Sequence, residues 1–389
     1  MPEPTIEYSM FLIFSGAAVL ATLALFARQA MIVAYIVLGI ILGPWGLELV
    51  ADPVLIKDIS NIGIIFLLYL LGLDLFPQQL WQMLGKALST TLLSSMVFWL
   101  LGFGVGCLSG YPLRESLMTG VALMFSSTIL GVKLLPTTIL HHKHTGQVII
   151  SVLLLQDLLA IIILLLLEGY GKGGTLLLDI ALQVITLPVL VLIAWVLERF
   201  ILVKLISSFD QIHEYIFLLA IAWCLGISEL AGVMGLSHEI GAFIAGVILA
   251  SSPIAFFITE KLKPLRDFFL IIFFFALGAT FNMNMVGILI WPALILALLV
   301  IALKPIVFRQ LFFWTGEKRD ISLEVGFRLG QISEFSMLIA VLAVESGFIT
   351  VKTSYLIQLS TLLTFIISSY IIVLRYPTPI AISDKLRRD

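Results

Sequence analysis

Thirteen apolar runs divide this 389-residue chain, and most are about as long as a helix must be to cross a bilayer, roughly 17–25 residues. They cover approximately Ile6–Phe26, Ala30–Gly43, Ile59–Leu75, Gly85–Leu108, Ser116–Leu135, Gly146–Leu167, Leu176–Leu197, Glu214–Leu230, Leu236–Ala250, Leu265–Thr280, Met285–Phe308, Ile321–Val344 and Thr353–Leu374. Such a chain needs lipid as its solvent: 61% of its residues are hydrophobic and 12% charged, whereas soluble domains carry about a quarter charged residues. A transmembrane barrel would show short alternating strands instead, and the sequence has none. The second and ninth runs are short, which calls for tilt or for ends shared with re-entrant turns. The pattern predicts an all-α polytopic membrane protein of about 13 transmembrane helices, a single membrane domain over residues 1–389 with no soluble regulatory domain.

Basic residues set the expected orientation, because cytoplasmic loops carry the Lys and Arg excess. With the N-terminus outside, fifteen fall inside, from Arg28 to Arg388, and four fall outside: Lys57, Arg114, Lys172 and Lys352. The remaining three, Lys133, Lys304 and Arg328, lie within runs. The odd number of runs then puts the C-terminus in the cytoplasm. The net charge of −2 says nothing of partners, and nothing suggests nucleic acid. Cys107 and Cys224 both sit in apolar runs, against a disulfide framework. No cleavable signal peptide is expected, since no basic region precedes the first run.

An ionisable group inside a span costs roughly 2.5–3.5 kcal/mol on insertion scales, so each one needs a reason. Asp157 is the clearest, mid-span in Ser151-Val-Leu-Leu-Leu-Gln-Asp-Leu-Leu-Ala-Ile. Gln156 beside it adds an amide oxygen. Together they offer oxygen ligands to a partly dehydrated alkali cation, and protonation of the carboxylate would release that cation. The other reading of Asp157 is a structural ion pair. Lys304, mid-span before Pro305, either pairs with Asp157 or holds a helix end; Pro305 is expected to kink its helix.

Two spans read as broken in the middle. One carries Ser126, Ser127 and Thr128, the other Gly330, Gln331, Ser333 and Glu334. Unwound backbone at that depth requires burial in protein or a water-filled cavity, and paired interruptions in two halves point to a transporter site. The alternative is Ser and Thr bonding back to their own helices. The fourth to sixth runs read plain, polar-interrupted, acidic; the eleventh to thirteenth read basic, polar-interrupted, plain. The two triplets start on opposite sides of the membrane, as inverted repeats do. Glu324 and Arg328, four apart, read as a structural pair.

Several stretches carry a more specific resemblance: Gly39-Ile-Ile-Leu-Gly-Pro-Trp-Gly-Leu, Leu71-Gly-Leu-Asp-Leu, Ser126-Ser-Thr, Leu155-Gln-Asp, Gly241-Ala-Phe-Ile-Ala-Gly-Val-Ile-Leu-Ala-Ser-Ser, Phe273-Phe-Phe-Ala-Leu-Gly and Leu329-Gly-Gln-Ile-Ser-Glu-Phe. In this order they resemble the monovalent cation:proton antiporter-2 family, within it the bacterial potassium-efflux branch of the Kef type. The resemblance implies a homodimeric fold with inverted repeats and two crossed broken helices, like sodium/proton antiporters. It implies K⁺/H⁺ exchange, with Asp157, Gln156, Ser126, Ser127 and Thr128 as the ion-binding set and Lys304, Gln331, Ser333 and Glu334 in supporting or charge-compensating places. No cofactor is implied beyond the transported K⁺ or Na⁺ and H⁺, no metal beyond that cation, and a separate cytoplasmic regulatory subunit is allowed for. A bacterial plasma (inner) membrane is the expected location.

Kef-type proteins usually continue into a cytoplasmic nucleotide-binding domain, absent here, and their glutathione-gated members have an acidic loop where this chain reads Ile258-Thr-Glu-Lys-Leu-Lys-Pro-Leu-Arg. Glu239 reads as a helix-start cap or an outer-vestibule residue, and His141, His142 and His144 as a solvated loop or a pH sensor. The rival functions are Na⁺/H⁺ exchange, a K⁺ channel-like efflux protein on the same scaffold, and a non-transporting membrane anchor. An enzyme is disfavoured, because no nucleophile–base pair comes together in the sequence.

Overall fold

The structure, a computed structural model, describes residues 6–50, 52–74, 77–136, 144–171, 176–209, 212–252 and 255–379. His141 and His142 lie outside the described residues. The helices are α1 (Ile6–Phe26), α2 (Met31–Leu42), α3 (Pro53–Asp74), α4 (Pro77–Leu108), α5 (Leu113–Met124), α6 (Thr128–Lys133), α7 (His144–Gly171) and α8 (Leu176–Leu197). They continue with α9 (Val203–Ser208), α10 (His213–Val233), α11 (His238–Ala250), α12 (Ala255–Ala279), α13 (Met283–Trp314), α14 (Arg319–Arg328), α15 (Glu334–Glu345) and α16 (Val351–Arg375). Each apolar run falls on one helix or on consecutive pieces, α5 and α6 for the fifth run and α14 and α15 for the twelfth. A π turn at Glu198–Leu202 carries α8 into α9, so the seventh span outlasts its apolar run.

Among the described residues, six helical segments are long and apolar enough to cross a membrane, for example Ile6–Phe26, Met283–Trp314 and Val351–Arg375. The two short runs form helices of 12 and 13 residues. At about 1.5 Å per residue these rise roughly 18–20 Å, short of the ~30 Å hydrocarbon core. The chain is an integral membrane protein. Its helix α13 runs unbroken through Pro292 and Pro305.

The chain clusters into two compact units. The first comprises Met1–Ala18, Tyr35–Gln82 and Lys172–Thr280; the second comprises Val19–Ala34, Met83–Gly171 and Phe281–Asp389.

In the first unit α3 packs on α11 and α12, and two crossings are built from reciprocal glycines. A Cβ on Gly72 would meet the Phe243 carbonyl, and one on Gly246 the Tyr69 carbonyl. Likewise a Cβ on Gly39 would meet the Phe275 carbonyl, and one on Gly278 the Ile36 carbonyl. Small residues let helix backbones approach this closely in lipid, where packing rather than water drives association. The glycines of four of the stretches that carry the family resemblance are thus packing residues.

In the second unit α13 packs on α14 and α16, and α15 on α5, α7 and α16. These helices form two triplets of like order: α4, the α5–α6 pair and α7; then α13, the α14–α15 pair and α16. The middle member is broken in both.

Replacing Gly246 or Gly278 by Leu should cost at least the roughly 1–3 kcal/mol of an overpacked core, because backbone rather than a flexible side chain occupies the space. Size-exclusion chromatography in detergent should show loss of the monodisperse peak for both variants. Gly226→Ala, in α10 with nothing within 4 Å of the added methyl, should keep it.

Candidate functional site

Each broken span places the C-terminus of one helix against the N-terminus of the next. Helix α5 ends at Met124, and Phe125 turns to extended backbone with φ −96 and ψ 148. Ser127 Oγ then accepts from the Leu130 N–H at 3.1 Å, capping α6. Helix α14 ends at Arg328, the chain passes through Leu329–Ser333, and Ser333 Oγ caps α15 by accepting from the Phe335 N–H at 3.1 Å. Ser and Thr favour these positions because their oxygens satisfy the free N–H groups of a first turn. The two breaks touch: Ser126 Oγ donates to the Leu329 carbonyl at 2.8 Å, and Ser336 Oγ to the Ala122 carbonyl at 2.6 Å.

Side chains from neighbouring spans complete the backbone pairing. Gln156, fully buried, accepts the Ser126 N–H at 2.9 Å and donates to the Met124 carbonyl at 3.1 Å. It bridges the first break as a peptide group would. Gln331 Nε2 donates to the Arg328 carbonyl at 2.9 Å, and Ser368 Oγ donates to Gln331 Oε1 at 3.1 Å.

Lys304 is 1% exposed. Its ammonium donates to the carbonyls of Phe125 at 2.6 Å and Gln331 at 2.9 Å, and more loosely to Ser126 Oγ at 3.4 Å. All three protons thus go to neutral oxygens of the two breaks and none to Asp157. Of the two roles weighed for Lys304, the geometry takes the helix end: a cation beside carbonyls that no helical N–H reaches is favourable.

Asp157, also 1% exposed, lies one residue after Gln156 on α7. Thr128 Oγ1, at the first position of α6, is within reach of both carboxylate oxygens, at 3.3 and 3.2 Å. Of the three hydroxyls in the first break, Thr128 is the one that touches the carboxylate; Ser126 joins the breaks and Ser127 caps a helix. Glu334 is 7% exposed and opens α15, where negative charge suits the helix start.

Other sequence candidates have distinct places. Arg328 is fully buried and pairs with Glu324 at 2.9 Å. It also donates to the carbonyls of Leu134 at 3.1 Å and Pro377 at 2.9 Å, joining the ends of three segments. His144 contacts Glu317 at 2.9 Å, linking the start of α7 to the turn after α13. Glu239 stands in the first turn of α11, while Ser237 is the cap.

The thirteenth run, read as plain, is not. Thr364 Oγ1 on α16 accepts the Ile332 N–H at 3.1 Å, inside the second break. Thr361, Thr364 and Ser368 recur at three- and four-residue spacing and are all buried. That spacing was the available signal, masked by the habit of Ser and Thr to bond back to their own helix.

Residues 13–374 match the family described as sodium/hydrogen exchanger, transmembrane. K(+) efflux antiporter 4 of Arabidopsis thaliana is 29% identical over 93% of this chain and 62% of its own length. The glutathione-regulated potassium-efflux system protein KefC of Klebsiella pneumoniae is 28% identical over 84% of this chain and 54% of its own length. The chain thus spans less than two thirds of either relative. Among solved structures, the sodium proton antiporter MjNhaP1 of Methanocaldococcus jannaschii superposes with a TM-score of 0.69 at 18% identity, covering 94% of this chain and 95% of that one. The two proteins share a fold.

Thr364→Val keeps the shape of the side chain and removes the acceptor for the Ile332 N–H. A buried orphan donor costs about 1–3 kcal/mol. The apparent Tm in detergent should fall for Thr364→Val and return close to the starting value for Thr364→Ser, which restores the oxygen.

Proposed function

We propose a function from this premise: the chain belongs to the transmembrane sodium/hydrogen exchanger family. The reading is secondary active exchange of a monovalent cation for protons, with Asp157 binding the two in turn. One observation carries it: a carboxylate 1% exposed sits at the broken α5–α6 span with a threonine hydroxyl within reach of both its oxygens.

The chemistry follows from that arrangement. An ionised Asp157 supplies the charge that a partly dehydrated alkali cation needs, and Thr128 Oγ1 adds a neutral oxygen. A proton on Asp157 removes the charge, and the cation leaves. Cation and proton exclude each other at one group, which is the minimum requirement for coupled exchange. Lys304 Nζ is engaged by the break carbonyls. Gln156 acts on the site by fixing Ser126 and Met124, so it shapes the first break rather than offering a free ligand.

Potassium is the first reading for the cation, since the K(+) efflux antiporter and KefC relatives resemble this chain along most of its length. Sodium is the second, supported by the fold shared with a sodium proton antiporter. The proposal includes a homodimer in a bacterial inner membrane, N-terminus outside and C-terminus cytoplasmic by the Lys and Arg distribution, with room for a separate cytoplasmic regulatory subunit.

In proteoliposomes loaded with a pH dye, K⁺, Na⁺ and Li⁺ should each be tested for collapse of an imposed proton gradient. Asp157→Asn keeps shape and burial but cannot exchange a proton, and its cation-coupled proton movement should fall at least a hundredfold, on the order of 3 kcal/mol at the chemical step. Wild-type rates in that variant would overturn the mechanism. Cation flux through wild-type protein with no accompanying proton movement would favour the channel reading.

A further inference from the structure

Beside its oxygen partners, the Lys304 ammonium meets an aromatic ring. Its hydrogen bonds point to Phe125, Gln331 and Ser126, and the ring of Phe98 on α4 lies against it with the centroid 5.1 Å from Nζ. Around this contact the wall is an apolar cleft lined by Leu101, Leu123, Leu299 and Leu303. Phe98 is 1% exposed, and an edge-to-face contact with Phe308 of α13, centroids 5.1 Å apart at 65°, holds its plane. Phe308 stacks in turn on Phe312 at 6.0 Å. Lys304 and Phe308 stand four apart on one helix, so α13 carries both the cation and the residue that orients the ring facing it. The ring comes from α4, the span that corresponds to α13 in the other triplet.

We propose that Phe98 is a positioning residue, whose ring attracts the Lys304 ammonium and holds it between the carbonyls of the two breaks. An aromatic face carries negative electrostatic potential, and a cation within about 6 Å of the centroid is drawn to it, most strongly where water is excluded. A leucine there would match the cleft in polarity and leave the fourth side of the charge against hydrocarbon. The ring offers attraction without a lone pair or a proton, so it holds the ammonium while competing with neither the break carbonyls nor Asp157. Its consequence for transport rests on the exchange function proposed above; its effect on the fold does not.

The test separates electrostatic attraction from packing. Phe98 is replaced, by nonsense suppression, with 4-fluoro-, 3,5-difluoro- and 3,4,5-trifluorophenylalanine, which withdraw charge from the ring face stepwise while nearly preserving its size. Apparent Tm in detergent and exchange in proteoliposomes are measured for each, in the Lys304 protein and in Lys304→Met. The expected result in the Lys304 protein is a Tm that falls with every fluorine and an exchange rate that drops about tenfold by the third, the scale of a desolvated cation–π contact. In Lys304→Met the Tm series should be flat. A flat Tm series in the Lys304 protein, or equal slopes in both backgrounds, overturns the proposal and leaves Phe98 as packing. A Tm gradient confined to the Lys304 protein, in a wild type that moves no protons against cations, upholds the positioning role and sinks the exchange function instead.

Discussion

A helix interrupted inside a bilayer leaves N–H and C=O groups with no water to turn to, and each one left unpaired there costs several kcal/mol. This chain has two such interruptions in contact, and much of the second unit's polar chemistry answers that constraint. Gln156 bridges the Ser126 N–H and the Met124 carbonyl. Thr364 takes the Ile332 N–H, and Lys304 takes the carbonyls of Phe125 and Gln331. Side chains from α7, α13 and α16 thus do for the breaks what solvent does for a surface loop. The breaks and the residues that support them form one network, so a change at Gln156 acts through backbone geometry before it acts through ligand chemistry.

That network also gives the Lys304 ammonium neutral oxygens as partners. Removing one partner of a buried ion pair leaves a charge uncompensated, at about 3–5 kcal/mol. A carboxylate held in such a pair would bind an incoming cation only by displacing the ammonium. Here the ammonium is satisfied by two carbonyls, a hydroxyl and a ring face. The carboxylate meets a threonine hydroxyl that can turn to donate or accept.

Much of this was legible in the sequence, and the missing parts share a cause. The apolar runs located the helices because lipid imposes length and polarity on every span. The two breaks were visible because polar clusters at mid-membrane depth are costly without a purpose. Partnership was not legible. Cost arguments say that Lys304 needs compensation but not that neutral oxygens can supply it together, so a carboxylate looked like its natural partner. The adjacency of Gln156 to Asp157 is visible in sequence, whereas its contact with Ser126, thirty residues away, is not. Thr364 was hidden because a buried hydroxyl on a helix usually bonds to its own backbone. Gly39, Gly72, Gly246 and Gly278 stood out within stretches resembling a family, yet their reciprocal pairing belongs to the crossings α2–α12 and α3–α11 and emerges only in three dimensions.

Both units contain close glycine crossings, in the second between α4 and α5, where a Cβ on Gly102 would meet the Thr119 carbonyl and one on Gly120 the Trp99 carbonyl; the units differ in where buried charge lies. The glycine crossings of the first unit set backbone against backbone, and such a contact has one close-packed arrangement because no side chain can rotate to make another. The second unit is held at its breaks by hydroxyls, amides and an ammonium, groups that can exchange one oxygen for another at small cost. Among the described residues, the buried charged side chains are Glu115, Asp157, Glu198, Lys304, Arg328 and Glu334, and all but Glu198 belong to the second unit. Transport by alternating access needs an element with two arrangements of similar energy. On the exchange reading, the hydroxyls, amides and ammonium at the paired breaks are the interactions suited to provide them.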